Sequence, residues 1–406
     1  MSGILNGIKV LDLTRVIAGP LCTQALADMG ATVYKIERPG EGDDTRRMGP
    51  FLADPKTGAD SNDSALYLAY NRNKQSITLD ISTPEGAQLA RELAARCDVV
   101  IENYKVGSLA RYQLDYESIR ELRPDIVYCS VTGFGQSGPY AHRPAYDFIL
   151  QGMAGVMSTC GHADGEPGGG PMRTAIPITD VVTGLYAAIG VLGALFHRLR
   201  TGEGQYLDAA MLDASLALNG HLALGWLMSA KLPARAGNTN PIASPSEVFS
   251  CVDGSLIFAA GNNGQFEALC RVLGCEALME DARFRTNALR VANRSALRTL
   301  LAPHIAGRSR EALVDELNDA GVPSGPINTI AEVFDDPQAR HRELALALEH
   351  SRGVEVPGLR SPLRFSRTPV THRAPPMLGE HTERVLHEEF GVDARRLAQL
   401  RERGVI

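Results

Sequence analysis

Asp180 is the ionisable residue whose setting most clearly suits it for chemistry. The run Pro177-Ile178-Thr179-Asp180 leads directly into an apolar, helix-patterned stretch that reaches Arg200, so its carboxylate falls at or near a helix N-terminus. Two readings follow. As a plain cap or first-turn acid it contributes about 1 kcal/mol by answering free N–H groups. As a nucleophile it would use the same helix end to stay ionised and to stabilise an oxyanion on the carbonyl it attacks. Gly133-Phe134-Gly135-Gln136-Ser137-Gly138-Pro139 only superficially resembles a nucleophile elbow, because Ser137 has the wrong neighbours and spacing. It reads as a glycine-rich turn at the C-terminal end of a strand, a favoured ligand position in open α/β sheets. Leu13 is followed by no glycine fingerprint and no P-loop is present, which argues against a plain NAD-binding protein and against ATP hydrolysis.

These residues need a scaffold, and the pattern supplies one. Strand-like runs Lys9–Leu13, Thr32–Ile36, Ser76–Ile81, Asp98–Glu102 and Ile126–Val131 alternate with helix-like Cys22–Met29, Pro84–Ala95 and Tyr116–Leu122. Thr83 and Pro84 form a helix start. Alternation at this spacing predicts parallel βαβ units and an α/β, doubly wound domain. A long loop is expected from Arg38 to about Asn73. Thr179–Arg200 reads as a helix ended by Gly202, and Asp208 to about Lys231 as another. Pro233–Pro245 reads as a linker or loop, and Val248–Phe258 as a hairpin turning at Asp253-Gly254. Helical patterns follow at Gly264–Leu273 and Ser309–Ala320, then a Pro/Gly-rich return over Gly321–Thr329 and a largely helical Leu378–Ile406.

The chain has 406 residues, 44% hydrophobic and 22% charged, too long for one small core and ordinary for a globular protein. That composition excludes disorder, a coiled coil and a collagen-like chain. Lys+Arg 41 against Asp+Glu 47 gives a net charge of −6, so no broad basic field invites nucleic acid or an anionic membrane. Seven cysteines without a C-x-x-C pair make neither a disulfide framework nor a zinc ribbon. No targeting segment is recognised at the N-terminus, and the apolar core Val181–Phe196 is shorter than a membrane span. A reduced, cytoplasmic protein is expected.

An ordered series of short motifs then narrows the reading. Gly7–Leu13 with Ala18-Gly19-Pro20, Lys35–Gly40 with Gly42-Asp43, Asn73–Ile77 with Leu79-Asp80, and Glu102-Asn103-Tyr104 come first. Gly133–Pro139, Thr179-Asp180, Thr201–Gln205, Gly321-Val322-Pro323 with Gly325-Pro326, and Leu378–Thr382 complete it. Along essentially its whole length the chain resembles the class III CoA-transferases, the family of formyl-CoA and L-carnitine CoA-transferases. Within that family it is most similar to the succinyl-CoA:glutarate (succinate–hydroxymethylglutarate) type, through Gly42–Arg46, Asn71–Lys74, Gly261–Phe266 and Gly325–Asn328.

The resemblance implies a Rossmann-like large domain formed from both chain ends, residues 1–225 and 331–406, with a smaller α+β domain inserted at 226–330. It also implies an interlocked homodimer. Asp180 aligns with the residue that attacks the donor thioester, giving an aspartyl–acyl anhydride and then an aspartyl-CoA thioester. Coenzyme A, as acyl-CoA substrate, is expected against Val16, Ile17, Ala18, Arg38, Leu79, Asp80, Ile81, Ser82, Asn103, Tyr104, Lys105 and Arg111, with Tyr146 and Asp147 beside Asp180. No metal and no nucleoside triphosphate are required, since one thioester is exchanged for another. Arginines suit the phosphates through bidentate, permanently charged contacts. Outside the resemblance, Arg38 reads as a surface partner of Glu37 or Glu41, Lys105 and Arg111 as solvated charges, and Leu79–Ser82 as a strand end.

A dicarboxylate substrate needs a cation for its far end, because an unpaired buried charge costs several kcal/mol. Arg15, Arg46, Lys74 and Arg173 are candidates and Arg46 is preferred; Gln136 is a further substrate-side candidate. The formyl-CoA branch carries a glycine run in a small-domain loop. Here Gly237–Pro241 takes roughly that place and Gly168-Gly169-Gly170 precedes Asp180 instead, which disfavours formate and oxalate. The related alpha-methylacyl-CoA racemases carry a His where this chain has Tyr146, and tyrosine is a poor base at neutral pH. The alternatives left open are such a racemase, a transferase for oxalate, carnitine or another monocarboxylate, and a non-catalytic CoA-binding protein.

Overall fold

The computed structural model describes residues 3–53, 58 and 60–406. Six strands form one sheet: β1 Lys9–Leu13, β2 Thr32–Glu37, β3 Gln75–Thr78, β4 Val99–Glu102, β5 Val127–Thr132 and β6 Gln205–Ala210. Every neighbouring pair is parallel, in the order β3-β2-β1-β4-β5-β6. The strand order therefore reverses between β1 and β4, and the loops leaving their C-terminal ends line a crevice there.

Strand residues alternate between two cores, as a sheet buried on both faces requires. Leu11, Tyr34, Val100 and Tyr128 face one core, closed by helix α2, Pro84–Ala94, and by the C-terminal helices Thr382–Phe390 and Ala394–Glu402. Val10, Val33, Ile101 and Cys129 face the other, closed by helix α1, Ala18–Asp28, and by a long helix, Ile178–Thr201. Between α2 and that long helix lies the short helix α3, Asp147–Met153; the long helix is α4, and α5 spans Met211–Ser229.

Helix α4 has 24 residues and is long and apolar enough to cross a membrane by length and composition, which the shorter run expected from sequence was not. Its Thr183, Gly184, Ala187, Ala188 and Val191 are nevertheless buried within this fold. Small residues on this stripe let α1 approach closely: a Cβ on Gly184 would stand 2.5 Å from the Ala18 carbonyl oxygen.

The chain divides into two compact units. The first comprises residues 3–156, 174–229 and 342–406, and the second 157–173 and 230–341. The boundaries expected at 225 and 330 thus fall at 229 and 341, and 157–173 joins the second unit. That unit holds a three-stranded antiparallel sheet, β7 Ser246–Cys251, β8 Gly254–Ala259 and β9 Ser324–Pro326, in the order β9-β8-β7. Helices Asn263–Leu273, Arg294–Ala306 and Arg310–Asp319 pack around Phe249, Phe258, Phe266, Leu297 and Leu313.

Three expectations need correction. Asp208–Ala210 belong to strand β6, not to a helix, and the helix that follows begins at Met211 and breaks at Gly220. The β7–β8 hairpin pairs Cys251 with Gly254, so Val252-Asp253 form the turn rather than Asp253-Gly254. Pro233–Pro245 is no free linker: Arg294 and Arg290 donate to the carbonyls of Asn240, Ala243 and Ser244. The long loop after β2 contains the helix Ala65–Tyr70 and a short strand pair, and its residues 54–57 and 59 lie outside the described residues.

Candidate active site

The crevice at the strand-order reversal is a cleft of about 390 Å³ with Asp180 in its wall. The loop after β1 contributes Arg15, Val16, Ile17 and Ala18, and the loop after β4 contributes Asn103, Tyr104 and Lys105. Arg111 and Tyr146 complete the set of expected residues that the fold brings together here. The two loops are stitched to each other: Asn103 Oδ1 accepts from the Arg15 N–H at 2.9 Å, and its Nδ2 donates to the Arg15 carbonyl at 2.7 Å.

Asp180 is the third residue of α4, in the first turn as expected, but it does not cap the helix. Capping falls to Asp147 at the start of α3. Its Oδ1 accepts from the Thr179 N–H at 2.8 Å and from Thr179 Oγ1 at 2.7 Å, while its Oδ2 accepts from Gln151 Nε2 at 2.7 Å. With Asp147 carrying the helix end, the Asp180 side chain is left to face the cleft. Burial, and then the nearby Asp147 charge, raise the Asp180 carboxyl from its ordinary 3.8 to about 7. The helix end therefore does not keep this carboxyl ionised as the sequence suggested; the attacking species is its ionised fraction, whose poorly solvated charge is relieved by acyl transfer.

The cleft carries four cationic side chains, Arg15, Lys105, Arg111 and Arg143, against the carboxyls of Asp44 and Asp180. Arg15 pairs with Asp44 at 3.1 Å. Arg143 lies over the Tyr140 ring at 3.7 Å and escaped the sequence reading, although it closes the loop that begins at Gly133. Gly133 allows that return: a side chain there would collide with the Ala145 methyl. The spacing Gly133, Gly135, Gly138 also has the form of a dinucleotide fingerprint, but it follows β5 and no helix starts before Asp147, so the backbone context of that motif is missing.

The remaining expected residues lie elsewhere. Arg38 and Leu79–Ser82 follow β2 and β3 on the same C-terminal edge of the sheet, outside this cleft. Arg38 is exposed and reaches Glu41 at 3.4 Å. Leu79 and Ile81 are buried in the core, and Asp80 Oδ1 accepts from Ser82 N–H and Oγ. Asp147 is the helix cap just described rather than a cleft residue. Gln136 donates its N–H to Asp208 Oδ2 at 2.8 Å and lines, with Glu102 and Tyr206, an adjoining cleft that shares Lys105 with this one. Burial raises the Glu102 carboxyl to about 7.

Arg46 is corrected outright. Its Nε and Nη2 grip the two oxygens of buried Glu37 at 2.7 Å each, and Nη2 also donates to Tyr67 Oη and the Pro376 carbonyl. A guanidinium buried in this grip is committed to Glu37 and lies outside the Asp180 cleft. Lys74 is likewise buried against Asp12 at 3.1 Å, and Arg173 belongs to the second unit. Of the four cations proposed from sequence, Arg15 alone lines the cleft that holds Asp180.

The family model for CoA-transferase family III matches residues 5–382. A succinate–glutarate CoA-transferase of Agrobacterium fabrum is 46% identical over 95% of both chains. A succinyl-CoA:glutarate CoA-transferase of Homo sapiens is 39% identical over 99% of this chain and 90% of its own. A crystal structure of a CAIB/BAIF family protein from Brucella suis superposes with a TM-score of 0.86 at 44% identity, covering 96% of this chain and all of that one. The α/β fold with a parallel sheet, the reversal-point cleft and these matches together show that the chain belongs to CoA-transferase family III.

Proposed function

We propose that this enzyme moves CoA from succinyl-CoA to a C4–C6 dicarboxylate such as glutarate, with Asp180 as the nucleophile. The observation that carries the reading is the Asp180 carboxyl itself, in the wall of a cation-lined cleft and relieved of capping by Asp147. The names of the relatives supply the substrates.

An Asp180 oxygen attacks the thioester carbonyl carbon; the C–S bond breaks and CoA leaves as thiolate, giving an aspartyl–succinyl anhydride. The thiolate then attacks the Asp180 carbonyl, the C–O bond to succinate breaks, and an aspartyl-CoA thioester remains. Glutarate attacks that thioester and the same two steps run in reverse, delivering glutaryl-CoA and restoring the carboxylate. A carboxylate suits this role because its acyl adduct is itself activated. Lys105 and Arg111 would meet the CoA phosphates. Tyr146, in the racemase His position, supplies no base for α-proton exchange.

The active form is proposed to be a cytoplasmic homodimer. Ile189 and Phe196 on α4 and Leu227 and Met228 on α5 are 61–84% exposed in the single chain, large apolar side chains that a second copy would cover. Incubation with succinyl-CoA and a panel of mono- and dicarboxylic acids, read by mass spectrometry of new CoA esters, tests the substrate reading. Glutaryl-CoA formation supports it; transfer to monocarboxylates alone overturns it.

A further inference from the structure

We propose that the buried Lys35–Asp43 ion pair is a positioning device for catalysis: it clamps the Thr14–Val16 turn from beneath, so that Arg15–Ala18 keep the shape that lines the Asp180 cleft. Both residues sit in a stretch whose resemblance to the family gave them no role, Lys35–Gly40 with Gly42-Asp43.

Val16 has φ +71°, in the left-handed region. For a β-branched residue this conformation is a real outlier, costing about 1–3 kcal/mol, and it persists only where surroundings enforce it. The enforcement is visible. Lys35 Nζ donates to the Thr14 carbonyl at 2.9 Å and to Asp43 Oδ2 at 2.9 Å. Asp43 Oδ1 accepts the Val16 N–H at 3.3 Å, so one ion pair holds both ends of the turn. The side chains of Lys35 and Asp43 are 0% exposed.

Asp43 is held in turn. It accepts from the Thr45 N–H at 3.0 Å and from Thr45 Oγ1 at 2.8 Å, and its own N–H donates to Glu37 Oε2 at 2.9 Å. From the other side Asp12 Oδ1 accepts the Thr14 N–H at 2.9 Å. The Thr14 side chain then fills the space a side chain on Gly19 would need, which fixes the turn against the start of α1. An ion pair that only stabilised the core would have no reason to grip both ends of one strained turn at the sheet's reversal point. Buried charge pairs cost desolvation, and one use that offsets the cost is to specify a conformation.

The proposal rests on the reading of the Asp180 cleft as the transfer site, and a mutant cycle separates the two. Asp43→Asn is expected to lower kcat/KM and CoA affinity by about 10- to 100-fold, the scale of a displacement near 1 Å. Glycine adopts positive φ without enforcement. Val16→Gly added to Asp43→Asn is therefore expected to recover about tenfold of that loss, relative to Val16→Gly alone as the reference corner of the cycle. If Asp43→Asn does not fold because Lys35 is stranded, Lys35→Met with Asp43→Asn leaves no unpaired charge and carries the same test. CoA affinity by calorimetry supplies a readout independent of which acid is the acceptor. Losses in Asp43→Asn that Val16→Gly does not relieve, or full activity and affinity in Asp43→Asn, would overturn the proposal. Failure of the substrate reading would instead leave this coupling in CoA affinity intact.

Discussion

Replacing Asp180 by Asn should make the protein more stable while removing its nucleophile, and the gain should depend on pH in a defined way. The folded chain holds the Asp180 carboxyl at about 7 against an ordinary 3.8. Below about pH 3.8 the group is protonated in both folded and unfolded chains and contributes nothing. Between 3.8 and 7 the unfolded chain ionises while the folded one resists, so stability falls as pH rises; above 7 the whole penalty is present. At 1.36 kcal/mol per pH unit the penalty is about 1.5 kcal/mol at pH 5 and up to about 4 kcal/mol at pH 8. The helix end opposes it by only about 0.3–1 kcal/mol. Urea titrations of the parent and Asp180→Asn proteins at pH 5 and pH 8 give the difference directly, and unchanged m-values would show that the same unfolding is measured. The Glu102 carboxyl, also raised to about 7, is common to both proteins and cancels. A variant no more stable than the parent at pH 8, or a gain equal at both pH values, would refute the reasoning.

Two further tests follow from particular side chains. Arg46→Ala strands buried Glu37 and should cost about 3–5 kcal/mol in chemical unfolding, with the glutarate KM of the folded fraction unchanged. A KM raised for dicarboxylates but not for monocarboxylates would return Arg46 to a substrate role. Ile189→Asp with Leu227→Asp should convert a dimer to monomer in sedimentation velocity, because both are large apolar side chains exposed in the single chain. A monomeric parent protein at micromolar concentration would contradict the proposed assembly.

The parallel sheet was legible because β1, β2, β4 and β5 are short runs rich in apolar and β-branched residues with turn residues between them, as strands buried on both faces require. Strand β6 was not legible. Gln205-Tyr206-Leu207-Asp208-Ala209-Ala210 lacks the β-branched residues that mark a strand, and it forms through pairing with β5 at the sheet edge. Asp180 was found from its place before an apolar helix, yet the true cap, Asp147, lies 33 residues earlier and no local pattern connects them. Arg46 misled for a related reason. An arginine in a polar loop reads as available, and its bidentate grip on Glu37 exists only after β2 and the loop have folded. Arg143 shows the converse: a loop after β5 brings a distant cation to the cleft, and the sequence carries no spacing that announces it.

The central claim is that Asp180 becomes covalently acylated during transfer. Incubating the enzyme with succinyl-CoA, quenching, and mapping the proteolytic peptide that contains Asp180 by mass spectrometry tests it most directly. The expected result is a CoA thioester or succinyl adduct on Asp180, discharged by added glutarate with formation of glutaryl-CoA and absent from Asp180→Ala, which should not turn over. An adduct on another residue, or transfer at the parent rate in Asp180→Ala, would contradict the account.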